Sequence, residues 1–310
     1  MKHSFYRGFL LKTTLISFYL ITCGGCRKFV QLSPPADQLT SEVVFVNEAT
    51  AISAVNGIYS EMINNSSQFS SGFITLYTGL GSDELNYYSG GTRNEFLNNQ
   101  LTIVNHAFIT SSIWGPAYKY IYIASLCIEK FNNSDNIRPS VKNALTGECK
   151  FLRAFCYFHL VNLFGDVPLI TSSNYETAAA KPRTDKSTVY QQILSDLKDA
   201  KNMLTDSYPT SEKVRVNKWA ATSLLARVYL YLEDWPNAES EASYVIGSGA
   251  YSLEVDLNSV FLLSSSEAIW QLRSVNSSVN TWEGNAILPA SNASIPTFLL
   301  TDIILTAFES

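Results

Sequence analysis

The sequence predicts a mainly all-α fold, an array of helical pairs broken by irregular loops. Three observations predict it: apolar residues recur at three-and-four spacing in one segment after another; residues 219–246 carry small residues where two paired helices would touch; and the alternation that marks a strand enters only after Ser252. With 310 residues, 46% of them hydrophobic, the chain is long enough to bury a sizeable core.

Taken in order, the chain opens with an export signal, residues 1–25. Lys2, Arg7 and Lys12 make a positive n-region, and the apolar run Thr13 to Thr22 is too short to span a bilayer. Cys23 and Cys26 follow where a lipoprotein signal peptidase needs small residues before the cysteine that becomes acylated. Gly24 and Gly25 favour Cys26, whereas Leu20 suits Cys23 as a −3 residue but leaves Thr22 as a poorer −1. Two acyl chains hold durably, so the mature protein is expected to be anchored to a membrane without crossing it. The other possibility is a secreted protein in which both cysteines are incidental. Residues 26–40, with Pro34 and Pro35, then form the lipidated cysteine and an extended linker.

Losing the leader removes three basic residues and moves the net charge from −5 to −8, which argues against a nucleic-acid partner. Cys127, Cys149 and Cys156 are left, an odd number, with the last two separated by two helical turns. They read as small buried hydrophobes, with no disulfide or metal framework.

In the body, Asn47 is positioned to cap a first helix bearing Ala51, Ile52, Val55, Ile58, Tyr59 and Met62. A second is expected from Ser112 as cap, with Trp114, Tyr118, Ile121, Tyr122, Cys127, Ile128 and Phe131 on its stripe. The third, about 141–164, carries Leu152, Phe155, Phe158 and Leu163 beside Cys156 and Leu160; Gly165 and Pro168 end it. A fourth, 187–204, places Tyr190, Ile193, Leu197, Ala200 and Leu204 on one face. The fifth and sixth are a pair in which Ala226, Tyr229, Ala238 and Ala242 fall at tetratricopeptide spacing around a turn at 233–236. Ala154 and Tyr157 repeat that element, with their partner helix delayed by the loop 165–186. Beyond it, FLLSSSEAIWQLR (261–273) alternates enough to predict a short strand, and an apolar segment with Leu299, Leu300, Ile303, Ile304, Leu305 and Phe308 closes the sequence.

Catalytic patterns are weak. His159 sits on the core helix four residues after Phe155, where a structural role is expected, and no His-Glu-x-x-His, paired Cys-x-x-Cys or P-loop occurs. The acidic pairs Asp83-Glu84 and Glu233-Asp234 do not suit a glycosidase, since adjacent side chains point apart and the second pair is a turn. Asn132 to Asn136 lacks the ligand spacing of a calcium loop. We therefore expect no enzyme activity, cofactor or metal.

Several phrases, in order, resemble the SusD/RagB family of nutrient-capturing outer-membrane lipoproteins. The strongest is FLRAFCYFHLVNLFGDVPLI (151–170). WGPAYKYIYIASLCIEKF (114–131), Ser-Glu-Ala-Ile-Trp (266–270) and the Val44-Phe45 approach to the first helix are similar to it in kind. The resemblance implies a body of tetratricopeptide-like pairs with loop insertions and minor β structure. It divides the chain into a helical region, 41–260, and the start of a C-terminal region, 261–310, left incomplete because family members run longer. It also implies a surface-exposed, lipid-anchored protein of the outer membrane that captures an oligosaccharide, or a peptide, and delivers it to a TonB-dependent transporter of the SusC type. The alternative is a lipid-anchored tetratricopeptide-like scaffold that binds other envelope proteins.

A glycan offers apolar C–H faces rimmed by hydroxyls, so aromatic rings flanked by Asn, Asp or Arg suit it. The insertion Gly79 to Gln100 supplies Asp83, Asn86, Tyr87, Tyr88, Arg93 and Asn94, and Trp282, near Asn280 and Asn285, is a second candidate. Each of these aromatic rings could equally be packing in an ordered loop.

Overall fold

Helical periodicity dictates the architecture found in the computed structural model, which describes residues 45–64, 68–87, 91, 93–102, 106–274, 280–289, 291 and 294–307. Cys23, Cys26 and the linker lie outside the described residues. The chain divides after Val43, and the described residues belong to the unit that follows.

Helix α1 (Glu48–Asn64) buries Ala51, Val55, Ile58, Tyr59 and Met62. The Thr50 amide donates to Asn47 Oδ1 at 3.0 Å, the expected cap. A wide, π-type helix α2 (Phe69–Thr78) breaks at Gly72, whose φ of 101° favours glycine, and runs on through the single turn Gly79–Gly81. The short strand β1 (Leu85–Asn86) and helix α3 (Arg93–Leu97) lie in the insertion, and helix α4 (His106–Ile109) follows it. Continuous helical turns at Thr110–Trp114 lead into α5 (Gly115–Asn132), so Ser112 is a buried residue inside a turn and not the cap. The buried stripe of α5 runs through Ala117, Tyr120, Ile121, Ala124 and Ile128, and Tyr122, off that stripe by the 100° step of the helix, is exposed.

Helix α6 (Pro139–Phe164) is enclosed on most sides. Leu145, Cys149, Leu152, Cys156, Tyr157 and Leu160 are buried, while Leu163, in its last turn, is 40% exposed. Gly165 adopts φ 67° where it ends. The following turn is clasped from two helices: Tyr118 Oη donates to the Pro168 carbonyl at 2.7 Å, and Tyr157 Oη both accepts from the Ile170 amide at 2.6 Å and donates to its carbonyl at 2.8 Å. After the short α7 (Tyr175–Ala179), α8 (Lys186–Met203) buries Tyr190, Ile193, Leu197 and Ala200 on one face, as its spacing predicts.

The last pair, α9 (Lys218–Tyr231) and α10 (Trp235–Gly247), packs as a hairpin in which Tyr229 and Ala238 are buried and Ala226 and Ala242 half-buried. Glu233 takes φ 60° at its turn and Asp234 caps α10. Helices α1, α5, α6, α8, α9 and α10 each pack against the next, which is the mainly all-α array predicted. Residues 265–273 form no strand with a partner ladder; they are an extended strap, held by the Gln271 amide on the Lys213 carbonyl at 3.0 Å and by Trp270 Nε1 on the Val214 carbonyl at 3.3 Å. Helix α11 (Trp282–Ile287), strand β2 (Leu299–Leu300) and helix α12 (Asp302–Ala307) follow, with β2 antiparallel to β1. Among the described residues no helix is long and apolar enough to cross a membrane.

Two buried ion pairs radiate from α6. Arg153 grips Asp196 of α8 with two bonds of 2.8 Å, and its Nη1 also donates to Ser125 Oγ on α5 at 3.1 Å and to the Thr171 carbonyl at 3.2 Å. Glu148 accepts from Arg215 at 2.9 and 2.5 Å and from the Tyr59 hydroxyl of α1 at 2.9 Å. Burial pushes the Glu148 carboxyl up, against the Arg215 guanidinium and the Tyr59 hydroxyl, which favour its charged form. Cys127, Cys149 and Cys156 are buried free thiols. Asp196→Ala strands Arg153 without its partner and is expected to cost about 3–5 kcal/mol of unfolding free energy. Arg138→Ala, which opens an exposed pair with Glu48, is expected to leave the urea midpoint almost unmoved. Equal midpoints for the two variants would contradict this assignment.

Candidate functional site

Both sequence-predicted regions are seated on α2, although more than 180 residues separate them. On one side, Asp83 takes φ 63°, a conformation Asp tolerates better than most residues, and leaves its carboxylate exposed. Its carbonyl and that of Glu84 are held by Thr301, whose hydroxyl donates to Asp83 O at 2.6 Å and whose amide donates to Glu84 O at 3.1 Å. Asn86 is exposed on β1, with its Oδ1 accepting the Tyr87 amide at 2.8 Å.

Tyr87 itself turns inward. Its ring is 7% exposed, 5.3 Å from the Phe298 ring, and the Arg93 guanidinium lies over it at 5.1 Å. Arg93 spans two phenols, its Nε donating to Tyr77 Oη and its Nη1 to Tyr87 Oη, each at 3.0 Å. These two residues act as a brace between the insertion and α2, and α2 in turn stacks Phe73 on Tyr77 at 4.4 Å. Asn94, half-buried beside the brace, holds an Oδ1 that is closed off without a hydrogen-bond partner among the described residues. Tyr88 lies outside the described residues.

On the other side, Thr281 caps α11 by accepting the Gly284 amide at 3.1 Å. Trp282, the first residue of that helix, is 43% exposed. A Cβ at Gly72 would stand 3.4 Å from the Trp282 Cβ and the Glu283 backbone, an ordinary packing distance, so it is the positive φ that calls for glycine at 72. Thr75 Oγ1 donates to Glu283 Oε1 at 3.2 Å. Phe298 joins the two sides: its amide donates to the Ala286 carbonyl at 3.1 Å while its ring meets Tyr77 and Tyr87. The structure thus brings Asp83, Asn86 and Trp282 onto neighbouring supports with their side chains exposed, and assigns Tyr87 and Arg93 to the framework beneath. Reasoning from sequence missed Phe298 as the joint, because at the head of the apolar run Leu299–Leu300 nothing local shows that its partners, Tyr77 and Tyr87, lie more than 200 residues earlier.

Chemistry elsewhere is structural. His159 packs among Phe155 at 4.6 Å, Phe158 at 5.7 Å and Phe69 at 5.8 Å. Burial, and then the nearby Arg227 charge, pull its pKa down from 6.5 to about 4. Asp234 is occupied as a helix cap, with its carboxylate bonded to Asn237. Among the described residues no group of three His, Cys, Asp or Glu side chains could hold a metal ion.

Known proteins give the same picture of the fold. Residues 28–230 match the SusD-like family, described as starch-binding and associating with the outer membrane. The SusD-like protein P25 of Formosa agariphila is 29% identical over 265 residues, covering 82% of this chain and 50% of its own length. The chain spans about half the length of the curated relatives it matches over most of its length. A solved SusD superfamily protein of Parabacteroides distasonis superposes with a TM-score of 0.73 at 24% identity, over 88% of this chain and 61% of that one. A SusD-like carbohydrate-binding protein of Bacteroides fragilis does so with a TM-score of 0.65 at 22% identity, over 73% and 46%. At those identities the likeness is one of fold.

The depressed His159 pKa has a measurable consequence. Between pH 6.5 and 4 the unfolded chain binds a proton that the folded chain refuses, so the stability His159 allows at neutral pH is lost as pH falls through that window. The slope from this residue is at most about 1.4 kcal/mol per pH unit. His159→Phe is expected to flatten the unfolding free energy measured by urea titration across that range; an unchanged slope would contradict the assignment.

Proposed function

The chain belongs to the SusD-like family, and we propose that it is an outer-membrane lipoprotein that captures an oligosaccharide and hands it to a TonB-dependent transporter of the SusC type, with no chemistry performed on the sugar. The observation that carries this is the family match across residues 28–230, which spans the helical array of the body as far as α9. Lipid attachment at Cys26, or at Cys23, anchors the chain to the membrane and the linker lets the body stand off it, in keeping with the apolar run and small residues that precede those cysteines.

Asp83, Asn86 and Trp282 are the contact residues in this proposal, with the Tyr87–Arg93 brace fixing the loop and Asn94 half-buried next to that brace. An exposed indole offers a face to sugar C–H groups, and the exposed acid and amide offer acceptors and donors to the hydroxyl rim. The supports are pre-formed, so little ordering cost falls on binding.

Trp282→Ala combined with Asp83→Gly, which keeps the positive φ at 83 while removing the carboxylate, is expected to weaken oligosaccharide binding at least tenfold, read by calorimetry on the full chain, with a cooperative unfolding transition retained. Unaltered affinity would remove these residues from the site. Cys26→Ala is expected to release the chain from the membrane fraction; if it stays there and Cys23→Ala releases it, the anchor is Cys23.

A further inference from the structure

A second groove lies on the opposite part of the array from the insertion in sequence, between α6, α9 and the strap 265–273, with a volume of about 290 Å³. That is at the small end of the roughly 300–1,000 Å³ typical of small-molecule pockets. Its aromatic wall is rigid. Trp270 meets Phe151 at 5.2 Å and 87° and Phe155 at 5.4 Å and 90°, while those two phenylalanines lie parallel, 6.3 Å apart. The indole N–H is committed to the Val214 carbonyl, which fixes the ring. Trp270 and Phe155 nonetheless remain partly open to solvent.

Around this wall stand polar groups with unspent bonding capacity. Arg227 on α9 is exposed and lines the groove, and it is the one arginine of the described residues with no hydrogen bond or ion pair; Arg93, Arg138, Arg153, Arg183, Arg215 and Arg273 are all engaged. Ser223, one turn before it, has a hydroxyl closed off from solvent with no hydrogen-bond partner among the described residues. Glu267 lines the groove from the strap, its Oε1 accepting the Glu254 amide at 2.7 Å while Oε2 has no hydrogen bond among the described residues.

We propose that this groove is a second seat for a sugar ring, distinct from the Asp83–Trp282 region. The occupant is a pyranose unit of an oligosaccharide. The partly open rings of Trp270 and Phe155 offer apolar surface to its C–H face, and a planar guanidinium with five donors together with a carboxylate acceptor suits neighbouring hydroxyls, which donate and accept at once. A purely apolar occupant would leave the Arg227 and Glu267 head groups without partners, and a simple anion would gain nothing from the wall and be repelled by Glu267. The inference rests on the glycan-capture proposal, to which it adds a place where a long chain is held at two points, a gain in avidity without a tighter single site.

The test uses the full chain on an array of oligosaccharides from α-glucans, β-glucans, xylans, mannans, galactans and pectins, with Arg227→Gln and Ser223→Val as variants. Neither change breaks an internal hydrogen bond, and unfolding midpoints are measured to verify that both fold. At least one glycan is expected to bind the native chain, each variant to weaken that binding tenfold or more, and the Trp270 indole N–H resonance, assigned with Trp270→Phe, to shift on binding. If glycans bind native and variant chains equally and the Trp270 resonance stays still, the second seat is overturned while capture stands. If no glycan on the array binds the native chain, both the seat and oligosaccharide capture fall.

Discussion

One guanidinium fixes the relation between the central helices. Arg153 reaches Asp196 on α8, Ser125 on α5 and the Thr171 carbonyl beyond the end of its own helix, so its bonds set the spacing of three helices and the path of the loop that joins two of them. Apolar packing alone tolerates sliding by fractions of a turn, because it is non-directional. A buried, bidentate ion pair does not, since separating the charges leaves each without water or partner. Five residues earlier on α6, Glu148 does the same for α1 and for the approach to α9 through Tyr59 and Arg215. Each pair commits a guanidinium and a carboxylate from different elements to one geometry, so removing either partner leaves the other charge buried without compensation.

The fixed array matters for function because both candidate binding regions are attached to it indirectly. The insertion after α2 reaches the core through the Arg93 brace and the aromatic cluster of Phe73, Tyr77 and Phe298. The strap holding Trp270 reaches it through Phe151 and Phe155, on the same helix that carries Arg153 and Glu148. Polar side chains at the surface are thus positioned by rigid elements beneath them, an arrangement that would keep the ordering cost of the proposed sugar contacts small.

Much of the fold was legible from residue spacing. The stripe Tyr190, Ile193, Leu197 and Ala200, the Asn47 cap and the burial of Tyr229 and Ala238 in the last helical pair all follow from local sequence pattern. What spacing could not give was anything requiring a partner distant in sequence. Arg153 and Asp196 are 43 residues apart and look like ordinary polar positions until α6 and α8 are placed together. Tyr87 and Arg93 carried a sugar-binding composition, yet the structure uses them as framework, because nearby rings on α2 and at Phe298 were available to cover them. The stretch 261–273 alternates like a strand but has no neighbouring strand to pair with among the described residues, so it lies as a strap. Alternation specifies a sheet face only where a partner exists.

The proposed role as the capturing subunit of an uptake system is tested by purifying the tagged chain from detergent-solubilised outer membrane and identifying by mass spectrometry what comes with it. The account predicts a large TonB-dependent barrel recovered in equal amount with the chain. Recovery of assorted envelope proteins without such a barrel would contradict it and favour a lipid-anchored helical scaffold.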